Sequence, residues 1–310
     1  MGASERCVDQ LDVRQALAGA GLPIRMGPFV ARIQSHLPEV AASVTRLYGR
    51  HAIAGDSAFV DFDVAVQRPA RMLRSWHPQV VFELGGQSPF NPLPGNQGFP
   101  LLEWGLNWCV YGMCHQYLIL HAAVLERNGR ALILPAPSGS GKSTLCAGLL
   151  FGGWRLLSDE LTLIRPADGR IVPNPRPVSL KNQSIDVIQR FAPQVRFGSR
   201  VAETSKGVVA HFAAPVDAIR RADEAVLPGW VVLPRYAAGA PATLQRLERA
   251  QTFMQLIENA FNYAVFGAAG FDLLGALLDR SECFTFDYSS LPEAVDLFNR
   301  LADGQAVGTA

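Results

Sequence analysis

The chain has 310 residues, 49% of them hydrophobic and 18% charged, with a formal net charge of +1. That length suits one large domain or two modest ones with a sizeable core, and that composition excludes a disordered chain. A net charge this close to zero supplies no global field for nucleic acid or an acidic membrane, so neither is expected as a partner.

Five cysteines, Cys7, Cys109, Cys114, Cys146 and Cys283, include no C-x-x-C pair. They are expected to be free thiols of a reducing compartment, not a disulfide frame or a zinc site. The start, MGASERCVDQLD, is too polar for a signal peptide, and Arg6 occupies the position where a myristoylation signal needs Ser or Thr. The most apolar window, 101–125, contains Glu103, Asn107, His115 and Gln116, so it is not expected to span a bilayer. The expected address is the cytoplasm.

In chain order, residues 9–21 have the spacing of a short helix closed by Gly21. Residues 23–33 and 58–66 alternate with the period of two expected of half-buried strands. Between them, 38–48 predicts a helix with Pro38 in its first turn, where a missing N–H is harmless. A strand is expected at 79–84. The run QSPFNPLPGNQGFP at 87–100 is dense in Pro, Gly and Asn and reads as a surface loop and boundary. Residues 101–116 predict a buried helix with Trp104, Trp108, Tyr111 and Met113 in the core.

Residues 118–126 and 130–134 flank Asn128-Gly129, a strong hairpin signal. A strand at 154–158 ends in Asp159-Glu160, and 161–164 and 170–172 predict a second hairpin. Residues 173–179 (PNPRPVS) are stiff and extended, and 183–191 predict a helix. A polar loop at 203–207 enters a strand at 208–212, with Gly207 placed to let the backbone approach a ligand. Strands are expected at 226–236, 242–247 and 283–288, and helices at 251–259, 271–279 and 292–302.

The stretch after the first hairpin, LILPAPSGSGKST, has a strand, a loop and a helix start in the order of a phosphate-binding loop. Glycines let successive N–H groups converge on phosphate oxygens, and the helix N-terminus adds a favourable dipole. The residues expected around the phosphates are Ala136, Pro137, Ser138, Gly139, Ser140, Gly141, Lys142, Ser143 and Thr144. Lys142 would reach the terminal phosphates and Ser143 would ligate Mg²⁺. Ala136 stands where the strict pattern has Gly. The loop leaves the return arm of a hairpin, which implies a mixed or antiparallel sheet. Asp159 and Glu160 fall where a magnesium-organising or base carboxylate belongs, though a solvated strand end is the plainer alternative. Arg176 and Lys206 are candidates to complete the phosphate clamp.

Together, His121-Ala122-Ala123-Val124, the hairpin, APSGSGKST and Arg155-Leu156-Leu157-Ser158-Asp159-Glu160 resemble the catalytic core of HPr kinase/phosphorylase. In that family a His opens the strand, a G-x-S-G-x-G-K-S loop comes next, and an Asp-Asp pair closes the next strand. The phrases PRPVSLK, TSKGVVAH and NYAVFG look more like the divergent HPr-kinase-related group (HprK-related kinase A). In bacteria that group is associated with peptide-modifying or exopolysaccharide gene clusters and PqqD-like peptide-binding proteins. The resemblance is specific over 118–163, weaker to 289 and absent from the first hundred residues.

The resemblance implies an α/β fold with a mixed sheet, like that of phosphoenolpyruvate carboxykinase. It implies a catalytic domain at 101–303; the chain before it, 1–100, reads as a strand-rich region expected to serve acceptor recognition or oligomerisation, and 304–310 as a loose tail. The implied activity is Mg²⁺-dependent transfer of the γ-phosphoryl group of ATP to a serine hydroxyl of a small protein or precursor peptide. GTP and pyrophosphate remain open as donors, and a PqqD-like partner and a homo-oligomer are implied. Asp159 matches the acid that takes the hydroxyl proton, with His121 beside it. Glu160 replaces the second Asp, which makes Ser143, Asp159 and Glu160 the metal candidates. No match to the family's C-terminal signature is present, so HPr is not the expected acceptor. Two other functions stay open: a sugar or nucleoside kinase, and a nucleotide-binding regulatory protein without kinase activity.

Overall fold

Strands and helices are interspersed along the chain in the computed structural model, which describes all residues except 1–5, 56, 70–77, 138 and 307–310. The first five residues of the polar start, Ser138 of the loop and the last four residues of the expected tail therefore lie outside the described residues. The architecture is mixed α/β, with both parallel and antiparallel strand pairs. Two units interleave along the sequence. The first comprises Met1–Val110, Arg176–Asn182 and Arg196–Ile219, the second Tyr111–Pro175, Gln183–Val195 and Arg220–Ala310.

In the first unit a five-stranded sheet runs in the order Leu22–Met26, Phe29–Gln34, Phe62–Gln67, Gln79–Leu84, Leu93–Pro94. A second, three-stranded sheet pairs Val178–Lys181 and Val201–Thr204 with a central Gly207–Phe212. The helix Pro38–Tyr48 forms with Pro in its first turn, as its spacing predicts.

Several boundaries move for identifiable reasons. The expected helix at 9–21 is a 3₁₀ turn, Val8–Gln10, and a separate helix, Val13–Ala18, because the Asp12 side chain caps the Gln15 N–H and starts the helix afresh. The alternating run at 23–33 folds back as a hairpin at Gly27, whose φ is +54°. The strand expected from residue 58 begins only at Phe62, since the Asp61 carboxylate accepts the Val30 N–H and closes the approach to it. The loop at 87–100 contains a short strand and a 3₁₀ turn, and the next helix already starts at Gly98.

Along that helix, Gly98–Met113, the aromatic core expectation needs correction. Trp104, Trp108 and Tyr111 are only half-buried and Met113 is exposed, while Glu103 and Asn107 are buried. The two polar residues go inside because partners await them. Glu103 accepts the Tyr48 hydroxyl at 2.5 Å and lies 3.8 Å from the Arg176 guanidinium, which also donates to Asn107. Gly207 is corrected too. It sits in a tight hairpin at φ +81°, and the group a Cβ there would strike, at 2.2 Å, is the Asn182 side chain. Asn182 in turn accepts the Val208 N–H, so this glycine makes room for a neighbour in the fold.

The second unit is built on an eight-stranded mixed sheet. Its order is Ile171–Val172, Leu161–Ile164, Leu118–Arg127, Arg130–Pro135, Leu227–Tyr236, Glu282–Tyr288, Thr243–Arg246, with Arg155–Ser158 also paired to Leu118–Arg127. Asn128 and Gly129, at φ +54° and +76°, make the two-residue turn that the right-handed twist of a hairpin favours. Arg130–Pro135 is therefore antiparallel to its predecessor, yet parallel to Leu227–Tyr236, which is itself parallel to Glu282–Tyr288. This is the mixed sheet that a hairpin-fed loop requires. One apolar core packs Leu118, Leu120, Ala122 and Val124 with Ile133, Val231 and the helix residues Leu274 and Leu277. No helix among the described residues is long and apolar enough to cross a membrane.

A buried ion pair ties these strands together. The Arg155 Nε donates to Glu126 Oε2 at 2.7 Å, with the side chains 4% and 7% exposed, and the other Glu126 oxygen accepts the Gly129 N–H at 2.8 Å. Removing one partner of such a pair leaves an uncompensated buried charge. Glu126→Ala is expected to lower unfolding stability by about 3 kcal/mol. The double change Glu126→Leu with Arg155→Met, which removes both charges, should recover most of that loss in the same denaturant titration.

Candidate functional site

All the loop and acidic residues singled out by the sequence, except Arg176 and Lys206, belong to the second unit. The strand Arg130–Pro135 ends in the loop 136–141, and the helix Lys142–Phe151 begins at its last glycine. Gly139 and Gly141 both have φ +89°, a conformation that side-chain-bearing residues avoid. At Gly141 space is also closed: a Cβ would lie 2.6 Å from the Tyr288 hydroxyl and 3.0 Å from Tyr236 Cβ.

Two consecutive loop carbonyls are held by tyrosines at the ends of the neighbouring parallel strands. The Tyr236 N–H donates to the Ser140 carbonyl at 2.9 Å, and the Tyr288 hydroxyl donates to the Gly141 carbonyl at 2.9 Å. In a trans peptide the N–H points opposite the carbonyl. The N–H groups of Gly141 and Lys142 are therefore aimed away from the Tyr236 N–H and the Tyr288 hydroxyl, at a helix N-terminus. Burial first, then the neighbouring Tyr236, pushes the Tyr288 phenol well up, so it stays a protonated donor. The Ser140 Oγ is buried without a hydrogen-bond partner.

At the helix start Lys142 is buried, and Ser143 and Thr144 are half-buried. The Thr144 hydroxyl donates to Ser184 Oγ at 2.8 Å, which fastens this turn to the helix Gln183–Phe191. Cys146, one turn on, reports what surrounds it. Burial raises its thiol pKa most, the negative charge of Asp159 raises it further, and Lys142 lowers it. The charges of Asp159 and Lys142 thus both act on one side chain of the loop helix.

Asp159 and Glu160 are half-buried in a bend shaped by Ser158, whose Oγ accepts the Leu161 N–H at 3.1 Å and the Glu160 N–H at 3.4 Å. Asn174 runs alongside. Its N–H donates to the Leu157 carbonyl at 2.8 Å, and its Oδ1 is buried without a hydrogen-bond partner. His121 is half-buried and opposite Leu161, just past that bend. Its N–H donates to the Asn259 carbonyl at 2.7 Å, and its ring lies 5.9 Å from Phe261, which stacks on Tyr111 at 4.3 Å.

Arg176 and Lys206 belong to the first unit. There Arg176 is engaged by Glu103 and Asn107, and the Lys206 ammonium lies over the Trp104 ring, 5.1 Å from its centre. Tyr236, Tyr288, Ser158, Ser184 and Asn174 were not foreseen from the sequence. Only Ser184 and Asn174 carried a visible cue, as polar residues bordering the extended PNPRPVS segment and the helix after it.

Among the described residues no group of three or more His, Cys, Asp or Glu side chains forms a metal cage. Ser143, Asp159 and Glu160 offer the hard oxygen donors of a Mg²⁺ ion that keeps most of its ligands as water and phosphate. The orphaned Ser140 hydroxyl in the same loop fits a phosphate-bearing ligand.

Comparison with known proteins adds little to this geometry. Residues 104–179, which include the hairpin, the loop and the Asp159-Glu160 bend, match the family described as ScmC, SynChlorMet cassette protein ScmC. No curated protein matches the chain. The solved structure of the HPr(Ser) kinase/phosphatase from Coxiella burnetii is similar at 11% identity and a TM-score of 0.24, over 60% of this chain and 98% of that one. That likeness is distant.

The two glycines separate strain from clash. Both Gly139→Ala and Gly141→Ala carry the left-handed penalty of about 1–2 kcal/mol. Only the second meets Tyr288 and Tyr236, whereas nothing lies within 4 Å of a Cβ at Gly139. Denaturant midpoints should therefore fall in the order wild type, Gly139→Ala, Gly141→Ala.

Proposed function

We propose that the second unit is a Mg²⁺-dependent phosphotransferase that moves the γ-phosphoryl group of ATP to a hydroxyl, with GTP or pyrophosphate as alternative donors. The observation that carries this is the loop end before the helix Lys142–Phe151: the Ser140 and Gly141 carbonyls are held by Tyr236 and Tyr288, so the Gly141 and Lys142 N–H groups point the other way, and the charges of Asp159 and Lys142 both act on Cys146. Backbone donors, a buried ammonium and a helix N-terminus together favour a polyphosphate.

In the reaction the acceptor oxygen attacks the γ-phosphorus while the Asp159 carboxylate takes the hydroxyl proton. The bond from the γ-phosphorus to the β,γ-bridging oxygen breaks, and the negative charge left on that oxygen and on the nucleoside diphosphate is met by Lys142 and the loop N–H groups. Mg²⁺, held by Ser143 with Asp159 or Glu160, would neutralise phosphate charge when bound. His121 is a positioning residue beside the bend that carries Asp159, and Ser158 shapes that bend through the Glu160 and Leu161 N–H groups.

The acceptor that suits this surface is a serine of a small protein or peptide. Phe261, 43% exposed, lies beside His121, and Val265, 62% exposed, comes soon after it in the helix Tyr263–Phe266. An exposed apolar side chain beside the positioning residue His121 favours a chain with its own apolar residues over a sugar.

Transfer from γ-labelled ATP with Mg²⁺ tests the whole reading, with lysate fractions, small peptides, sugars and nucleosides as acceptors. Wild type should label a discrete protein or peptide acceptor. Asp159→Asn is expected to lower that rate by about 10²–10⁴-fold with ATP still bound, and Lys142→Ala by about 10²–10³-fold. Label on a sugar or nucleoside would replace the acceptor class. Tight ATP binding with no transfer in any fraction would sink the kinase and leave a regulatory nucleotide-binding protein.

A further inference from the structure

The two parallel strands beside the loop end in tyrosines of different character. Tyr288 is 2% exposed and its hydroxyl is committed to Gly141. Tyr236 is 54% exposed, although its backbone is fixed to the loop through the Ser140 carbonyl. Its ring meets that of Tyr288 edge-on, with centres 5.8 Å apart and planes at 80°. An edge-on neighbour braces an aromatic ring and leaves a face available. The backbone of Tyr236 serves the loop, and its exposed side chain is spare.

The segment after Tyr236 is almost bare of side chains: Ala237, Ala238, Gly239, Ala240, Pro241, Ala242. It is nonetheless pinned. The Ala237 N–H donates to the Tyr288 carbonyl at 3.0 Å, the Ala240 N–H to the Ala237 carbonyl at 3.0 Å, and the Ser289 hydroxyl to the Ala240 carbonyl at 2.7 Å. Gly239, at φ +77°, has nothing within 4 Å of a Cβ position. Successive strand residues face opposite ways, and Arg235, on the other side of the strand from Tyr236, is occupied by two hydrogen bonds to Asp287 at 2.7 and 2.6 Å. A segment without charged side chains of its own, held at Ala237 and Ala240, therefore follows the exposed Tyr236 ring, and its last residue, Ala242, borders a cavity that Glu293, Asp296 and Arg300 also line.

We infer that Tyr236 and the segment 237–242 hold the base of a nucleoside polyphosphate whose phosphates occupy residues 136–144. The inference rests on the phosphate-binding function proposed for that loop. Stacking on an aromatic ring suits any base, because every base offers a π face. The segment then admits adenine and guanine alike, and selectivity for a nucleoside over a bare polyphosphate comes from Tyr236.

The test compares ATP with inorganic tripolyphosphate, both with Mg²⁺, by titration calorimetry on the full chain. Tyr236→Ala and Tyr236→Leu remove the π face and keep the N–H that holds Ser140; Tyr236→Phe keeps both. Both π-deleting variants should weaken ATP about tenfold and leave tripolyphosphate unchanged, while Tyr236→Phe binds each ligand as wild type does. Equal losses for both ligands would overturn the inference, since Tyr236 would then act only by shaping the loop. Unchanged ATP affinity would overturn it as well, and place the base elsewhere with the loop's function intact. A wild-type chain that binds neither ligand would remove the loop's function, and the base platform with it.

Discussion

One buried carboxylate sets the geometry of the second unit. Glu126 accepts from the Gly129 N–H with one oxygen, which closes the hairpin turn, and from Arg155 with the other, which fixes the adjacent strand. Arg155 then donates to the backbone carbonyls of Arg221 and Glu224, just before the strand that carries Tyr236. Three strands are thereby registered by one cluster: the strand that feeds the loop, the strand that ends in Asp159, and the strand that ends in Tyr236. Burying two charges gains little net stability, because desolvation offsets their attraction. What it supplies is a set of directed bonds among these strands, extended by Arg221 beside Glu126 and Glu224 beside Arg155, each at 3.6 Å.

The mixed sheet converts that registration into a site. A hairpin return arm must be antiparallel to its predecessor, yet it is free to take a parallel neighbour on its other side. Arg130–Pro135 does so, and Leu227–Tyr236 and Glu282–Tyr288 then point the same way. The carboxyl ends of parallel strands share one edge of the sheet, the edge where open α/β sheets bind ligands. Tyr236 and Tyr288 arrive beside the loop for that topological reason. The Ser140 carbonyl takes its donor from Tyr236, while the Gly141 carbonyl, which already accepts the Leu145 N–H in the helix, gains the Tyr288 hydroxyl as a second.

The legible parts of the sequence were those governed by local rules. Asn128-Gly129 announces its turn because both residues must adopt positive φ, and Gly141-Lys142-Ser143 marks a helix start after a strand. Asp159 stands out by its place at the end of the next strand. The illegible parts depend on partners far along the chain. Tyr288 meets Gly141 across 147 residues, and no pattern near either residue reports it. Glu103 and Asn107 looked like interruptions in an apolar helix, yet they are its buried polar face because Tyr48 and Arg176 meet them there. Trp104 and Met113 looked like core for the converse reason: a helix apolar all round does not reveal which stripe will be covered.

Arg176 shows most clearly why a cation near a phosphate motif in sequence need not serve it. The segment PNPRPVS alternates prolines with Asn174, Arg176 and Val178, and an extended chain turns successive side chains to opposite sides. Its prolines have no N–H to offer a ladder. Asn174 still donates to Leu157 in the second unit, while Arg176 is held by Glu103 and Asn107 in the first. Each unit thus contains a buried arginine paired with a glutamate, Arg155 with Glu126 and Arg176 with Glu103. A guanidinium 6% exposed beside a carboxylate is already neutralised. To meet a phosphate it would have to leave Glu103 as an unpaired buried charge, which is the costly half of any such exchange. Lys142 sits instead at a helix start, whose dipole repels cations and welcomes anions. The positive charge of the proposed phosphate site therefore rests on Lys142 and the loop backbone.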